Sequence, residues 1–447
     1  MKPLLILLLS LFLLRHSSFA GQPNIVFILA DDLGYMDIGA NNPKTFYETP
    51  NIDSLAKRGM RFTQGYAACC VCSPTRGSIM TGKYPPRFRV TDYIPGMRSA
   101  KMLSAPNADH LPLEEKTIAE SLRDGGYDTF FAGKWHLGGG DYSPNAQGFG
   151  PGLTSGDGTK GFAQFWYPKS ETPPPDHKDD PKTTERIVNE AVRFIDLHQD
   201  KPFYAYLPFL AVHTPIGARA DLVAKYEKKQ ASVPENTWGQ ERANQVRQVQ
   251  NNAIYAAMLE QLDTGIGRVL TALEKNDLMK NTIIVFMSDN GGLSTSEGQP
   301  TSNLPLRAGK GWPYEGGIRE PWIVCVPGMT KAGSTCDTPV VSTDYYPTLL
   351  ELAGLPLKPE QHLDGVSIVP LLKGGTLDRG KPIFWHYPHY GNQGGAPHGA
   401  IREGDWKLIE WYEDGALELY HIPQDISEKH NLSAEEPEKV KALHEKL

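Results

Sequence analysis

Thr282-Ile283-Ile284-Val285-Phe286-Met287, running directly into Ser288-Asp289-Asn290, has the length and β-branched content of a strand buried on both faces. Just before it, Ile254, Met258, Leu262, Ile266, Val269, Leu270 and Leu273 recur at spacings of three and four across residues 253–275, the period of an amphipathic helix. A helix leading into a wholly apolar strand is the repeating unit of a parallel sheet clad by helices. The same alternation recurs along the chain: residues 24–30, 129–132, 203–207 and 322–326 read as further strands, and 52–58, 117–124, 184–198 and 344–353 as helices. The expected fold class is α/β, a large, mainly parallel sheet sandwiched by helices.

In open sheets of this kind ligands sit beyond the carboxyl ends of the strands, so the residue after each run matters most. Residues 24–30 end in Asp31-Asp32, and residues 282–288 end in Asp289-Asn290. Either pair alone is an ordinary turn or helix cap. Side by side they would gather three carboxylates and an amide, hard oxygen donors that suit Ca²⁺ or Mg²⁺ rather than zinc. Lys134 and His136 follow residues 129–132, His213 follows 203–207 within Ala211-Val212-His213-Thr214-Pro215, and Lys310 follows the Asp289 loop. Singly, Lys134 and His136 read as residues of an ordinary loop, His213 as a core histidine and Lys310 as solvated surface.

Residues 67–82, Ala67-Ala68-Cys69-Cys70-Val71-Cys72-Ser73-Pro74-Thr75-Arg76-Gly77-Ser78-Ile79-Met80-Thr81-Gly82, carry a helix start at Pro74 and a stop at Gly82. Cys72 then lies at a helix N-terminus, where free N–H groups and Arg76 favour an anion; a structural or disulfide-bonded cysteine is the other reading. The string Cys-x-Pro-x-Arg followed by Gly-x-x-x-Thr-Gly resembles the signature of the type I sulfatases of the alkaline-phosphatase-like superfamily. That resemblance implies that Cys72 is oxidised to formylglycine (3-oxoalanine) by a formylglycine-generating maturase and works as a hydrated aldehyde. It also implies that Asp31, Asp32, Asp289 and Asn290, together with modified Cys72, hold a divalent ion, usually Ca²⁺ with Mg²⁺ possible. By the same resemblance Lys134 holds a sulfate oxygen, His136 is the base, His213 and Lys310 serve the bridging oxygen, and Arg76 orients the diol.

The rest of the chain fits an exported hydrolase. Residues 1–20 hold Lys2, an apolar run and Ser18-Phe19-Ala20, a signal peptide with a small-residue cleavage site, too short for a membrane span; the expected location is periplasmic or secreted. No cysteine follows the cleavage point, which argues against a lipid anchor. The 447 residues carry 45 basic and 52 acidic side chains, a net charge of −7 with no basic block, which argues against nucleic acid as a partner. Five cysteines make no disulfide framework, although Cys325 and Cys336 could pair across a hairpin. Residues 138–180, rich in Gly and Pro and carrying Phe162, Phe165, Trp166 and Tyr167, read as a long ordered excursion.

A catalytic domain over 21–374 and a small C-terminal α+β subdomain over 375–447 are expected, the latter from short antiparallel strands near 382–386, 399–402, 406–411 and 417–420 and a helix from about 434, with a C-terminus that reads as truncated. The subdomain is most similar to bacterial arylsulfatase-A-like sulfatases acting on sulfated polysaccharides. The implied activity is a sulfuric ester hydrolase, exo-acting on a sulfated sugar or oligosaccharide, with galactose or N-acetylgalactosamine 4-sulfate the substrate suggested and His386 the residue chosen for sugar contact. Two other readings remain open here: a phosphate or phosphonate ester hydrolase of the same superfamily, and a non-catalytic glycan binder should Cys72 stay a thiol.

Overall fold

The computed structural model describes residues 21–154 and 184–447. The expected leader at 1–20 and Phe162, Phe165, Trp166 and Tyr167 lie outside them. An eight-stranded sheet runs in the order Ser334–Cys336, Met60–Phe62, Trp322–Cys325, Thr282–Ser288, Asn24–Ala30, Phe203–Pro208, Asp128–Gly133, Leu153–Thr154. Only Trp322–Cys325 runs against its neighbours; the other pairings are parallel.

The apolar strands are apolar because both faces are covered. From Asn24–Ala30, Val26 and Ile28 join one core with helices Pro50–Arg58, Thr184–Leu197 and Ala253–Lys275; Ile25, Phe27 and Leu29 join the other with Cys72–Thr81, Ile118–Asp124 and Tyr345–Leu352. Full burial of each such side chain stabilises by roughly 1.5–3 kcal/mol. The helix over 253–275 has the bounds its periodicity gave. The helix over 50–58 starts where Asp263 of that long helix accepts from Asn51 N at 3.1 Å, Ile52 N at 2.8 Å and Asn51 Nδ2 at 2.8 Å, satisfying N–H groups a helix start leaves bare.

Beyond the helix Val369–Leu372, four antiparallel strands follow in sequence order: Ile383–Tyr387, His398–Glu403, Trp406–Trp411 and Ala416–His421. Their inner face (Ile383, Trp385, Ala400, Ile409, Trp411) shares a core with Tyr66, Ala68, Cys69, Cys70, Trp312 and Ile318, the backing of the segment that leads into Cys72. A buried ionic network pins the same seam. Lys407, fully buried, places Nζ 3.1 Å from Glu315 and 2.8 Å from Glu428; Glu428 accepts from Glu315 N at 2.6 Å, and Arg319 pairs with Glu315 at 3.2 Å.

Several elements depart from the sequence reading. Residues 322–326 were expected in a mainly parallel set, and the strand is antiparallel: residues 289–321, which carry the site loop and the helix Glu315–Ile318, re-enter the sheet from the same edge with no helix crossing back to the other end. Helix Ala220–Gln230 was not expected: its apolar face is short, with Tyr226 buried and Leu222 and Val223 partly buried against the core among charged residues. Cys325 and Cys336 do not face across a hairpin. Strand Met60–Phe62 inserts between their strands, all five cysteines are free thiols, and Cys325 Sγ donates to Leu55 O.

Candidate active site

Register brings the two acidic pairs together. The central strands pair in parallel with Ala30 opposite Ser288, so Asp31-Asp32 and Asp289-Asn290 leave the sheet side by side. Asp32 N donates to Asp289 Oδ1 at 3.2 Å, and Asn290 Nδ2 donates to Asp32 Oδ1 at 2.7 Å. All four residues are at most 1% exposed. Asp32 holds a positive φ of 61°, a conformation that costs about 1–3 kcal/mol and persists only where its surroundings enforce it.

The helix Cys72–Thr81 starts at Cys72 and ends at Gly82, whose φ of 68° lets the chain turn off it, and each of its ten residues is buried. Cys72 Sγ faces His136 Nδ1 at 3.2 Å. His136 Nε2 lies 2.7 Å from Ile94 O, which can only accept; Nε2 therefore carries the proton and Nδ1 presents a lone pair toward Cys72. Burial, then the Lys134 charge, holds His136 well below the usual histidine range, so it stays neutral. Burial likewise pushes the Cys72 thiol up to about 11 despite Lys134 and Lys310, so as a thiol it stays protonated.

Cations close the site. Arg76 donates through Nε to Asp289 Oδ2 at 2.9 Å and through Nη1 to Lys134 O at 2.7 Å, with Nη2 2.7 Å from Asp289. Lys134 Nζ lies 2.6 Å from Asp31 Oδ2, Lys310 Nζ 2.7 Å from Asp32 Oδ1, and His213 Nε2 3.5 Å from Asp32 Oδ2. The His213 loop is held against the strand end by Val212 N donating to Asp31 O at 2.7 Å. Every residue expected at the site except His386 is thus gathered here. His386 sits at an exposed strand position and its Nδ1 meets Tyr412 Oη at 2.8 Å.

The residues fit a divalent cation. Among the described residues, Asp31 Oδ1 and Asn290 Oδ1 are buried oxygens with no hydrogen-bond partner, both in this cluster. Asp31, Asp32 and His213 can each offer a ligand atom within 4.8 Å of the others; the oxygen set including Asp289 and Asn290 is the harder one. Burial pushes Asp32 up to about 7 against the pull of Lys310, with the like charges of Asp31 and Asp289 adding, and burial followed by Asp31 raises Asp289 too. Carboxylates strained this way take up a cation readily. Sequence reasoning missed Ile94, whose role is purely main-chain and leaves no side-chain signal.

A family model described as Sulfatase matches residues 23–355. The chain belongs to the sulfatase family. A second model, described as N-sulphoglucosamine sulphohydrolase, C-terminal, matches residues 308–447 of this sulfatase. Among curated relatives, a Sulfatase of Formosa agariphila is 34% identical over 493 aligned positions, covering 93% of this chain and 85% of that protein. Human Arylsulfatase A is 33% identical over 406, covering 87% and 75%, and mouse N-acetylgalactosamine-6-sulfatase 31% over 458, covering 96% and 80%. Among solved structures, Ps i-CgsB in complex with k-i-k-neocarrahexaose aligns with TM-score 0.77 and 31% identity over 95% of this chain and 92% of that one. This sulfatase is a sulfuric ester hydrolase, and sulfatases in general use formylglycine and a divalent metal.

Proposed function

We propose that this sulfatase removes sulfate from sugars of a sulfated polysaccharide, with formylglycine made from Cys72 and Ca²⁺ held by Asp31, Asp32, Asp289 and Asn290. The observation that carries the reading is the facing pair Cys72 Sγ and His136 Nδ1 at 3.2 Å, at a helix N-terminus beside the carboxylate cluster. A thiol held protonated by burial is a poor nucleophile; the formylglycine diol supplies an oxygen nucleophile and the ion neutralises sulfate charge when both are present. Lys134 holds a sulfate oxygen and Arg76 orients the diol, and with Lys310 they offset the charge that grows as the ester bond breaks. His136 Nδ1 accepts the hydroxyl proton at position 72. His213 and Lys310 stand together at Asp32, one to protonate the departing alcohol and the other to offset its charge.

The sugar assignment draws on the relative crystallised with neocarrahexaose and on the relative named for N-acetylgalactosamine. Galactose and N-acetylgalactosamine 4-sulfates are the first substrates to test. Export, read from residues 1–20, fits a polymer too large to enter a cell. The test is mass spectrometry of the Cys72 peptide from natively matured protein, with sulfate release measured on those sugars and phosphate release on an aryl phosphate. An aldehyde at position 72 with sulfate release is expected. A thiol there in protein without turnover supports the glycan-binder reading, and phosphate release with silent sulfate supports the phosphatase reading.

A further inference from the structure

Beside the site, a cleft of about 490 Å³ is lined by Thr214, Pro215, Ile216, Glu297, Gly298, Pro300 and Asn392. Thr214 adjoins His213, so the cleft opens from the side where the ester alcohol departs. At its edge three side chains converge on one carboxylate. Asn392 Nδ2 and Gln393 Nε2 each donate to Glu297 Oε1 at 2.6 Å, and Thr214 Oγ1 donates to Glu297 Oε2 at 2.9 Å. Each amide gives an N–H to Glu297, which turns its oxygen away from that carboxylate. Asn392 Oδ1 and Gln393 Oε1 are buried with no hydrogen-bond partner, and Gln393 is 2% exposed.

Buried polar atoms are paired in finished structures, so the orphaned Asn392 oxygen, at the cleft and beside a carboxylate, marks a place for a donor. With the Glu297 carboxylate it makes this edge of the cleft rich in acceptors. It suits hydroxyl groups and repels sulfate or carboxylate, while Pro215, Ile216 and Pro300 give the cleft an apolar wall for the C–H face of a ring. The position is built into the fold: Gln393 lies against Gly311, φ +82°, where a Cβ would come 2.6 Å from Gln393 Cβ, and Gly311 follows Lys310.

We infer that Glu297 and Asn392, with Gln393 bracing Glu297, form a subsite for the free hydroxyls of the sugar bearing the scissile sulfate, and that Glu297 rejects sugars carrying a second anionic group there. This rests on the sugar-sulfatase reading above. Glu297 and Asn392 are specificity-determining residues and Gln393 positions Glu297; the sulfate itself is handled by the cationic cluster.

The test uses formylglycine-bearing wild type, Glu297→Gln and Glu297→Ala, with kcat/KM measured on 4-nitrophenyl sulfate, on the galactose and N-acetylgalactosamine monosulfates, and on disulfates that add one sulfate to the fastest monosulfate. Both variants should lower the ratio of sugar to aryl kcat/KM by about tenfold or more, the usual cost of leaving substrate hydroxyls unmatched. Glu297→Gln should also raise the ratio of disulfate to monosulfate turnover, a change that a purely structural role would not cause. Equal losses on aryl and sugar sulfates or an unchanged disulfate ratio would each overturn the subsite. Wild type that cleaves the aryl sulfate but no sugar sulfate, or that is inactive on every sulfate ester, would instead overturn the sugar-sulfatase reading on which it rests.

Discussion

Replacing Lys407 by Met should destabilise the protein in a way that depends on pH. Lys407 is the buried cation between Glu315 and Glu428, at 3.1 and 2.8 Å. Burial would raise Glu315, yet Lys407, then Arg319 and Arg402, hold it down at about 2; burial pushes Glu428 up to about 7 against Lys407, with Glu315 adding. Glu315, depressed when folded, contributes stability that is full above its unfolded value and is lost toward pH 2. Glu428, raised when folded, contributes below its unfolded value and loses that contribution as pH rises through about 7. Without Lys407 both carboxyls rise, so the charged state common at pH 8 becomes the costly one. Leaving buried charge uncompensated costs about 3–5 kcal/mol. At about 2.1 cal/mol/K per residue, a chain of 447 residues unfolds with roughly 0.9 kcal/mol/K, so the loss corresponds to a Tm lower by about 3–5 °C. Scanning calorimetry at pH 8 and pH 5.5 is the assay; the deficit should shrink at pH 5.5 and be partly restored by adding Glu428→Gln. A deficit equal at both values, or a Tm within about 1 °C of wild type at pH 8, would refute the network's role.

Three further outcomes follow from the geometry. Chelation should lower Tm by about 3 °C where the ion had been present at a hundredfold over its Kd, and Asn290→Ala should weaken Ca²⁺ uptake in calorimetric titration; an unchanged Tm with wild-type affinity in the variant would remove the metal from this cluster. Asp263→Ala should cost about 2–4 kcal/mol, because it strips two backbone N–H groups at the helix over 50–58 of their acceptor, and a melt at the wild-type temperature would show that water replaces the carboxylate without loss.

Strands over 24–30 and 282–288 were legible because burial on both faces leaves an unbroken apolar run, and the helix over 253–275 because one polar stripe preserves its period. Their terminal Asp31, Asp32, Asp289 and Asn290 could be read as one cluster only because a parallel sheet sends strand ends to the same edge. What the sequence did not carry was pairing. Strand Met60–Phe62 is too short for periodicity, and its insertion between Cys325 and Cys336 depends on contacts hundreds of residues apart. Glu297 sits in a polar loop that looks like any other until Asn392 and Gln393 fold onto it. His386 was chosen for its aromatic company, yet strand alternation turns it outward, while Trp385 and Tyr387 turn inward.

The helix Cys72–Thr81 has no residue open to solvent, and Cys72 itself is 2% exposed. If the proposed conversion of Cys72 is made by a separate enzyme, that enzyme cannot reach the thiol once the domain has folded, so conversion would precede folding. The window would close when the strand Thr282–Ser288 and Lys310 arrive to complete the site. On that reading slower folding favours activation, and a mutation that speeds early collapse would yield a stable protein with an unconverted cysteine. Folding rate, and not only folding yield, would then set how much of the chain becomes enzyme.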